Sequence, residues 1–504
     1  MGGYGLFGLP RLDLHPAFMT SRFQRLLRSA ALLFFLCSAS AWAQQDTADR
    51  LWQGAERQAQ QLRRQSDPLQ GAGRGNWLEE SMLSAWQTPQ TRLHQLLLSI
   101  MQAVNARDWF GADRLLRQYA QVPGRDPALF TFVEAARLAA EGDYDAAIAG
   151  YRQVLQANPK FIRGNLDLAR AMMADSRLRD AREIFQQMQA RPLPAEVERY
   201  IADAMTAIEQ RGRLRLTLSV AAVRDDNLAN TSRVVDPCAL VFYGTCLQNV
   251  PGSKTADSGA YFEASLNKLW PLAGHHGVLL RSLNYGNHYR HESNFDNLVS
   301  TTYLGYQYST ARGHFQFLPL FELDLEGGRE AYRAVGFRTS LNRQLNPRAM
   351  IEASYEYKHR DFTERLQGLE GDFRSAMLYG QYAVRPDLLL YGVLTWRESD
   401  AGFGLFGYRE QIARLGIVKS FNQKVTVNAA YSYRRRQAQE DYAIFGRRQR
   451  DHENGLYLSV SLPGYAWAGF TPTMSYEYRN NRSSIPHLYT YERNRFTLGF
   501  TKVF

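Results

Sequence analysis

The sequence is poor in lysine, in cysteine and in long apolar runs, and each shortage narrows the reading. Only seven of the 60 basic residues are lysine. No long basic block marks a nucleic-acid surface, so no nucleic acid is expected as a partner. Past the N-terminus no apolar stretch of about 18 residues occurs, which excludes a polytopic helical membrane protein. The patterns H-E-x-x-H, C-x-x-C, G-x-S-x-G and the P-loop are missing, and with them the common zinc, hydrolase and nucleotide signatures. A literal G-x-G-x-x-G occurs at Gly402–Gly407, but a strand follows it. A dinucleotide site needs a helix there, so that its N-terminus meets the pyrophosphate. No cofactor, metal or catalytic residue is expected, and the chain does not read as an enzyme. A Ser–His phospholipase on a barrel wall would leave the helical part of the chain unexplained.

What is present is uneven. The 504 residues are 45% apolar and 22% charged with a net charge of +11, which argues for folded domains rather than wholesale disorder. Of 28 tyrosines, 23 follow residue 213, so the chain changes character near Gly212. Arg22, Arg25 and Arg28 lead into the apolar stretch Ala30–Ala39, and Ala41-Trp42-Ala43 gives an A-x-A cleavage pattern. Residues 1–43 therefore read as an N-terminal prefix and a secretory signal peptide, with Met19 the more natural start. Cys37 falls inside the signal, leaving Cys238 and Cys246. In an oxidising compartment a loop disulfide is the natural reading of that pair, with two free thiols as the alternative. Residues 44–90, rich in Gln and Arg, read as a weakly ordered or partly helical leader.

Residues 91–211 carry a helical repeat with a 34-residue offset. Ala135 aligns with Ala169, Leu138 with Met172, Ala147 with Ala181, and Tyr151 with Phe185; Pro159 closes the first unit. Small residues where paired helices touch, and an aromatic late in the second helix, resemble tetratricopeptide packing. Two units are legible, at 128–161 and 162–195. A degenerate unit precedes them around Trp109-Phe110-Gly111-Ala112, and Glu196–Gln210 caps them. Such a stack suits extended peptides, although a helical spacer without a ligand is the plainer alternative.

From residue 212 to 504 the chain alternates with period two. Ile351, Ala353, Tyr355 and Tyr357 oppose Glu352, Ser354, Glu356, Lys358 and Arg360. Val335, Phe337, Thr339 and Leu341 oppose Arg338, Ser340 and Asn342. Arg434 faces the same way as Thr426, Asn428 and Ser432. In an extended chain the two sets occupy opposite faces. Mid-strand charge recurs on one face, which the core of a β-sandwich could not hold unpaired. A water-filled lumen can, with Arg338, Asn342, Glu352, Glu356, Lys358 and Arg434 lining it and hydrated. Fourteen strands are expected, joined by short turns on one rim and mostly long loops on the other, at 225–257, 362–371, 399–407 and 438–452. That is the outer-membrane pattern, with the short turns periplasmic. His275-His276 would lie solvated at one of those turns. The aromatic residues fit interfacial girdles. The fold class is thus a multidomain α+β chain: an N-terminal α-solenoid of tetratricopeptide-like repeats, then a 14-stranded antiparallel transmembrane β-barrel.

Two local features complete the pattern. Asp225, Asp226, Asn227 and Asn230 end the first strand, where Asp and Asn favour a turn in any case. The chain closes on an alternating aromatic strand, Phe496, Leu498, Gly499, Phe500 and Phe504, which resembles the signal read by the barrel-assembly machinery; Lys502 departs from it. With the signal peptide, the short repeat and the D-D-N-x-x-N opening, the chain resembles the surface lipoprotein assembly modulators, the Slam or type XI secretion family. The resemblance implies a translocator in the cell outer membrane, its helical domain in the periplasm. It would move a lipoprotein or secreted cargo protein to the cell surface, with a periplasmic chaperone, the barrel-assembly machinery and outer-membrane lipid as partners. An exopolysaccharide export channel with periplasmic helical repeats is the alternative, and a small-solute porin a third reading.

Overall fold

A computed structural model describes residues 92–242, 245–249, 251–442 and 445–504. The expected signal peptide and leader, at 1–43 and 44–90, lie outside the described residues.

Among the described residues seven helices precede the strands: α1 (Arg92–Ala106), α2 (Trp109–Tyr119), α3 (Ala128–Glu141), α4 (Tyr144–Ala157), α5 (Ile162–Ala174), α6 (Leu178–Gln189) and α7 (Ala195–Gly212). Asp108 and Asp143 start α2 and α4 by accepting from the backbone N–H groups of Gly111 and Ala146, the ordinary N-cap arrangement. Gly142 ends α3 in the left-handed conformation, with φ 84°. The helices pair antiparallel, α1 with α2, α3 with α4 and α5 with α6, and bury one continuous core. Ala135, Ala147, Ala169, Ala181, Tyr151, Met172 and Phe185 lie inside it, Leu138 is half-buried, and Pro159 is exposed after α4. Close approach of α3 and α4 explains the small residues: a Cβ on Gly150 would stand 2.9 Å from that of Ala135. Burial also pushes the Tyr151 phenol far above its ordinary range.

Fourteen antiparallel strands then close into one barrel. They are β1 (Arg215–Asp225), β4 (Asp257–Pro271), β5 (His276–Tyr289), β6 (Asn297–Thr310), β7 (Gly313–Glu326), β8 (Arg329–Asn346), β9 (Ala349–Phe362), β10 (Gly371–Arg385), β11 (Leu388–Ser399), β12 (Tyr408–Phe421), β13 (Val425–Tyr442), β14 (Arg447–Ser461), β15 (Thr471–Ser483) and β16 (Tyr491–Val503). Each pairs with its neighbour in sequence, and β16 closes on β1 from Thr217↔Val503 to Asp225↔Arg495. A closed sheet leaves no unpaired edge, the condition for crossing a bilayer in extended conformation. Two further strands, β2 (Leu240–Phe242) and β3 (Thr245–Leu247), form a separate hairpin within the first long loop, which sequence periodicity missed because each has three residues. Cys238 and Cys246 are disulfide-bonded there, with Cα atoms 4.6 Å apart. A short helix, α8 (Pro486–Tyr489), sits in the last long-rim loop.

The outer wall is apolar along its length: Val335, Leu341, Leu378, Leu394 and Leu415 all point outward and exposed. Phe496, Leu498 and Phe500 continue that surface on β16. Lys502 interrupts the apolar alternation, and its ammonium lies 4.7 Å from the ring centres of both Phe470 and Phe504. The long stem reaches along the wall while the charge rests on aromatic faces at the rim. One expected loop is corrected. Residues 438–452 are mostly strand, because β13 and β14 continue past the apolar band and keep pairing, with Asp441 opposite Arg448. Polar strand ends satisfy their ladder in water as readily as a loop would. The six residues of the glycine pattern at 402–407 lie in a loop before β12, with no helix following.

Candidate functional site

Three parts of the molecule gather polar side chains: the inner wall, the seam where the barrel closes, and the joint between helices and barrel.

The inner wall identifies itself by contacts that skip strands, which only the concave face of a barrel allows. Lys358 on β9 reaches Glu322 on β7 at 2.5 Å, past β8. Tyr303 on β6 donates to Glu356 on β9 at 3.2 Å. Glu322 also accepts from Tyr332 and Thr301, each at 2.8 Å. Arg338 reaches Ser354 at 2.9 Å and Glu356 at 3.5 Å, with Glu352 4.0 Å away. Asn342 lies on the same wall with its amide on Met350 Sδ. A second network runs round the barrel: Arg397 to Glu410 at 3.1 Å, Arg434 to Glu410 at 3.1 Å and to Glu453 at 2.9 Å, and Tyr491 to Glu453 at 2.5 Å. The expected hydrated wall is therefore corrected. Arg338, Glu356, Lys358 and Arg434 are buried and Glu352 is half-buried, because alternating charges on neighbouring strands pair with one another. Ionised groups taken from water need such partners. The barrel assignment rests on strand closure and stands independently of this hydration. Sequence reading missed Glu322, Arg397, Glu410 and Glu453, although each sits at the inward parity of its strand.

The seam is tied by the D-D-N-x-x-N residues. Asp225 is fully buried and holds Arg493 of β16, whose Nε lies 2.8 Å from Oδ2 and 3.0 Å from Oδ1. Asp226 accepts from the Asn494 backbone N–H at 2.7 Å and from its side-chain amide at 2.8 Å. Partial burial raises the Asp226 carboxyl, but the Asn494 hydrogen bonds and nearby Lys254 outweigh it and hold the group below its ordinary range. The Asn227 amide donates to the carbonyls of Glu492 at 2.9 Å and Thr231 at 3.2 Å, and its Oδ1 accepts from Thr231 N–H at 2.8 Å. Asn230 is buried with φ 48°, a conformation Asn tolerates. These residues thus make the turn that composition suggested and also fasten the first strand to the last. Arg493 was not singled out from sequence; its partner lies 268 positions away. Gly499 lies at the same seam, where a Cβ would stand 2.1 Å from the Val220 carbonyl oxygen and 2.4 Å from Ala221 Cα.

The joint sets the α5–α6 turn against the short-turn rim. His275 Nε2 meets Asp175 Oδ2 at 2.6 Å, and Arg177 Nε lies 3.2 Å from the same His275 nitrogen. Arg177 also pairs with Asp175 at 3.0 Å and with Asp145. The Gly274 backbone N–H donates to Asp180 at 3.2 Å, and Ser176 Oγ reaches the Thr310 carbonyl at 3.4 Å. The expected solvated His275 is corrected: its side chain is only 12% exposed, because the helical domain covers that turn. Asp145, Asp175 and His275 converge as metal ligands would, and the Arg177 guanidinium already supplies the positive charge among them.

Comparison with known proteins decides what these parts belong to. Residues 215–504 match the model of the surface lipoprotein assembly modifier family, and residues 87–185 match the model of that family's N-terminal tetratricopeptide repeats. The chain belongs to the surface lipoprotein assembly modifier family. Relatives include the hemophilin secretion modulator of Acinetobacter baumannii, 25% identical over 82% of this chain and 86% of that protein. Surface lipoprotein assembly modifier 1 of Haemophilus influenzae is 22% identical over 81% of this chain and 84% of its own. Surface lipoprotein assembly modifier 2 of Neisseria meningitidis serogroup B is 25% identical over 77% and 82% respectively. Family and closed barrel together place the chain in the outer membrane. The family is one of assembly modifiers and not of enzymes, and its match does not favour the polysaccharide-export alternative.

Proposed function

We propose that this family member moves a lipoprotein or secreted cargo protein from the periplasm to the cell surface. The observation that carries the reading is the continuous family match over the whole barrel, 215–504, joined to a repeat array docked at the barrel's short-turn mouth. The short-turn rim faces the periplasm, where a chaperone delivers cargo unfolded to the helical array. Cargo then enters the barrel, whose inner wall offers paired charges and tyrosine hydroxyls beside apolar clusters such as Leu389, Val393 and Val418. An extended polypeptide exchanges hydrogen bonds with the polar stretches of such a wall. A lipid anchor leaves best through the β1–β16 seam, because an acyl chain prefers the bilayer to a polar lumen. The barrel itself reaches the membrane through the barrel-assembly machinery, which reads the aromatic last strand.

Surface labelling of a candidate cargo, in cells with and without this protein, tests the reading. Deleting residues 44–211 is expected to abolish display while the barrel still reaches the membrane. Display that persists undiminished would refute the role given to the helices, and display independent of the whole chain would refute the function.

A further inference from the structure

The outward charges at the long-loop rim are distributed unevenly. On β8, β10 and β12 three outward cations have a carboxylate partner: Arg333 with Glu330 at 2.8 Å, Arg374 with Asp372 at 3.1 Å, and Arg409 with Glu398 at 2.7 Å. On β13–β15 Arg448 still pairs with Asp441 at 2.9 Å, but the row next to it has no such partner. Arg435, His452 and Arg482 are direct cross-strand neighbours in one row, and Arg450 lies two residues further along β14. All four are exposed, and among the described residues Arg435, Arg450 and Arg482 enter no ion pair. With strands spaced by about 4.8 Å, the row places three basic side chains within about 10 Å. Two guanidinium groups flank His452 with no carboxylate in the row, so the arrangement offers its donors to an anion from outside the chain.

An apolar groove of about 900 Å³ on the outer wall ends at the same row. Small residues, Ala353, Ala376 and Ala413, form its floor between the taller Leu378, Trp396 and Tyr433, and Arg435 and His452 stand at its end. Tyr433 hydrogen-bonds His452 Nδ1 at 2.7 Å, which fixes the ring beside Arg435. A cleft for hydrocarbon that finishes in clustered cationic donors matches one amphiphile class: acyl chains on a head bearing more than one phosphate. Guanidinium groups bind phosphate oxygens through charge-assisted pairs.

We propose that this face of β8–β15 is a binding site for a multiply phosphorylated, multi-acylated glycolipid of the outer leaflet. The inference rests on the reading above in one respect, that the long-loop rim faces the cell exterior. Phosphatidylglycerol, with two acyl chains, has a single phosphate for a row of three basic groups, so the glycolipid fits the charge better.

The full-length protein in detergent, mixed with diphosphorylated lipid A and examined by native mass spectrometry, provides the test. Wild-type protein is expected to retain the lipid at least tenfold better than the Arg435→Gln/Arg482→Gln double variant. Arg409→Gln, whose cation is already neutralised, is expected to behave as wild type. Lipid A stripped of its phosphates, and phosphatidylglycerol, are each expected to bind wild-type protein at least tenfold more weakly than lipid A. Because those two comparisons use only wild-type protein, they decide the matter even if the double variant fails to fold. Equal retention by a folded double variant, or equal affinity for dephosphorylated lipid A, would overturn the site. Equal affinity for phosphatidylglycerol would overturn the assignment to a glycolipid. The failure of cargo display, tested separately in cells, bears on the transport reading and leaves this binding result untouched.

Discussion

Removing the carboxylate of Asp225 should loosen the barrel at its seam. Asp225 is fully buried, and it accepts from Arg493 Nε at 2.8 Å and from the Asn227 backbone N–H at 3.1 Å. The Arg493 side chain retains 14% exposure. Breaking a buried ion pair by deleting one partner costs about 3–5 kcal/mol, since it strands the other charge. Some access of Arg493 to water lowers the expectation for Asp225→Ala to about 2–4 kcal/mol. A loss of that size shifts the folded-to-unfolded ratio about 30- to 1000-fold. Urea titration in detergent, read by the faster gel migration of the folded barrel, measures it. Arg493→Ala should cost a similar amount, and the double variant should cost much less than the sum, with a coupling of about 1.5 kcal/mol or more. An unchanged midpoint for Asp225→Ala, or single-variant losses that simply add, would refute the claim that this pair ties β1 to β16.

Gly499→Val should prevent closure outright, since its Cβ would meet the Val220 carbonyl oxygen at 2.1 Å, and a normal yield of folded barrel would show that the strands can separate to make room. Asp175→Ala removes the acceptor shared by His275 and Arg177; it should expose the 212–215 connection to protease while the barrel keeps its folded gel mobility, and unchanged protection would show that the joint does not hold the domains together. Asp226 has a folded-state pKa held below its ordinary value, so its contribution is fully present above about pH 4. It is lost as pH falls through the depressed folded value. Asp226→Asn should therefore flatten the acid limb of barrel stability below pH 4, with a small effect because the side chain is 36% exposed, and an identical acid limb in both proteins would dismiss the seam contact as a stabiliser.

Periodicity alone determined much of this protein. A hydrophobic pattern of period two over nearly 300 residues leaves few ways to bury one face and hydrate the rest, and a 34-residue helical offset leaves few ways to pack alanines against alanines. Strand number and most of the alternation of short turns with long loops follow from such local regularities. What the sequence could not disclose is partnership across the barrel. Arg493 and Asp225 meet only because β16 closes on β1, and Lys358 reaches Glu322 only because the wall curves inward. His275 reads from its neighbours in sequence as a solvated turn residue, and the α5–α6 turn covers it. The same holds for Arg435, His452 and Arg482, which are scattered along the chain and become one basic row by register. Local periodicity is set by the backbone geometry of each segment; charge pairing is set by closure, which only the tertiary structure supplies.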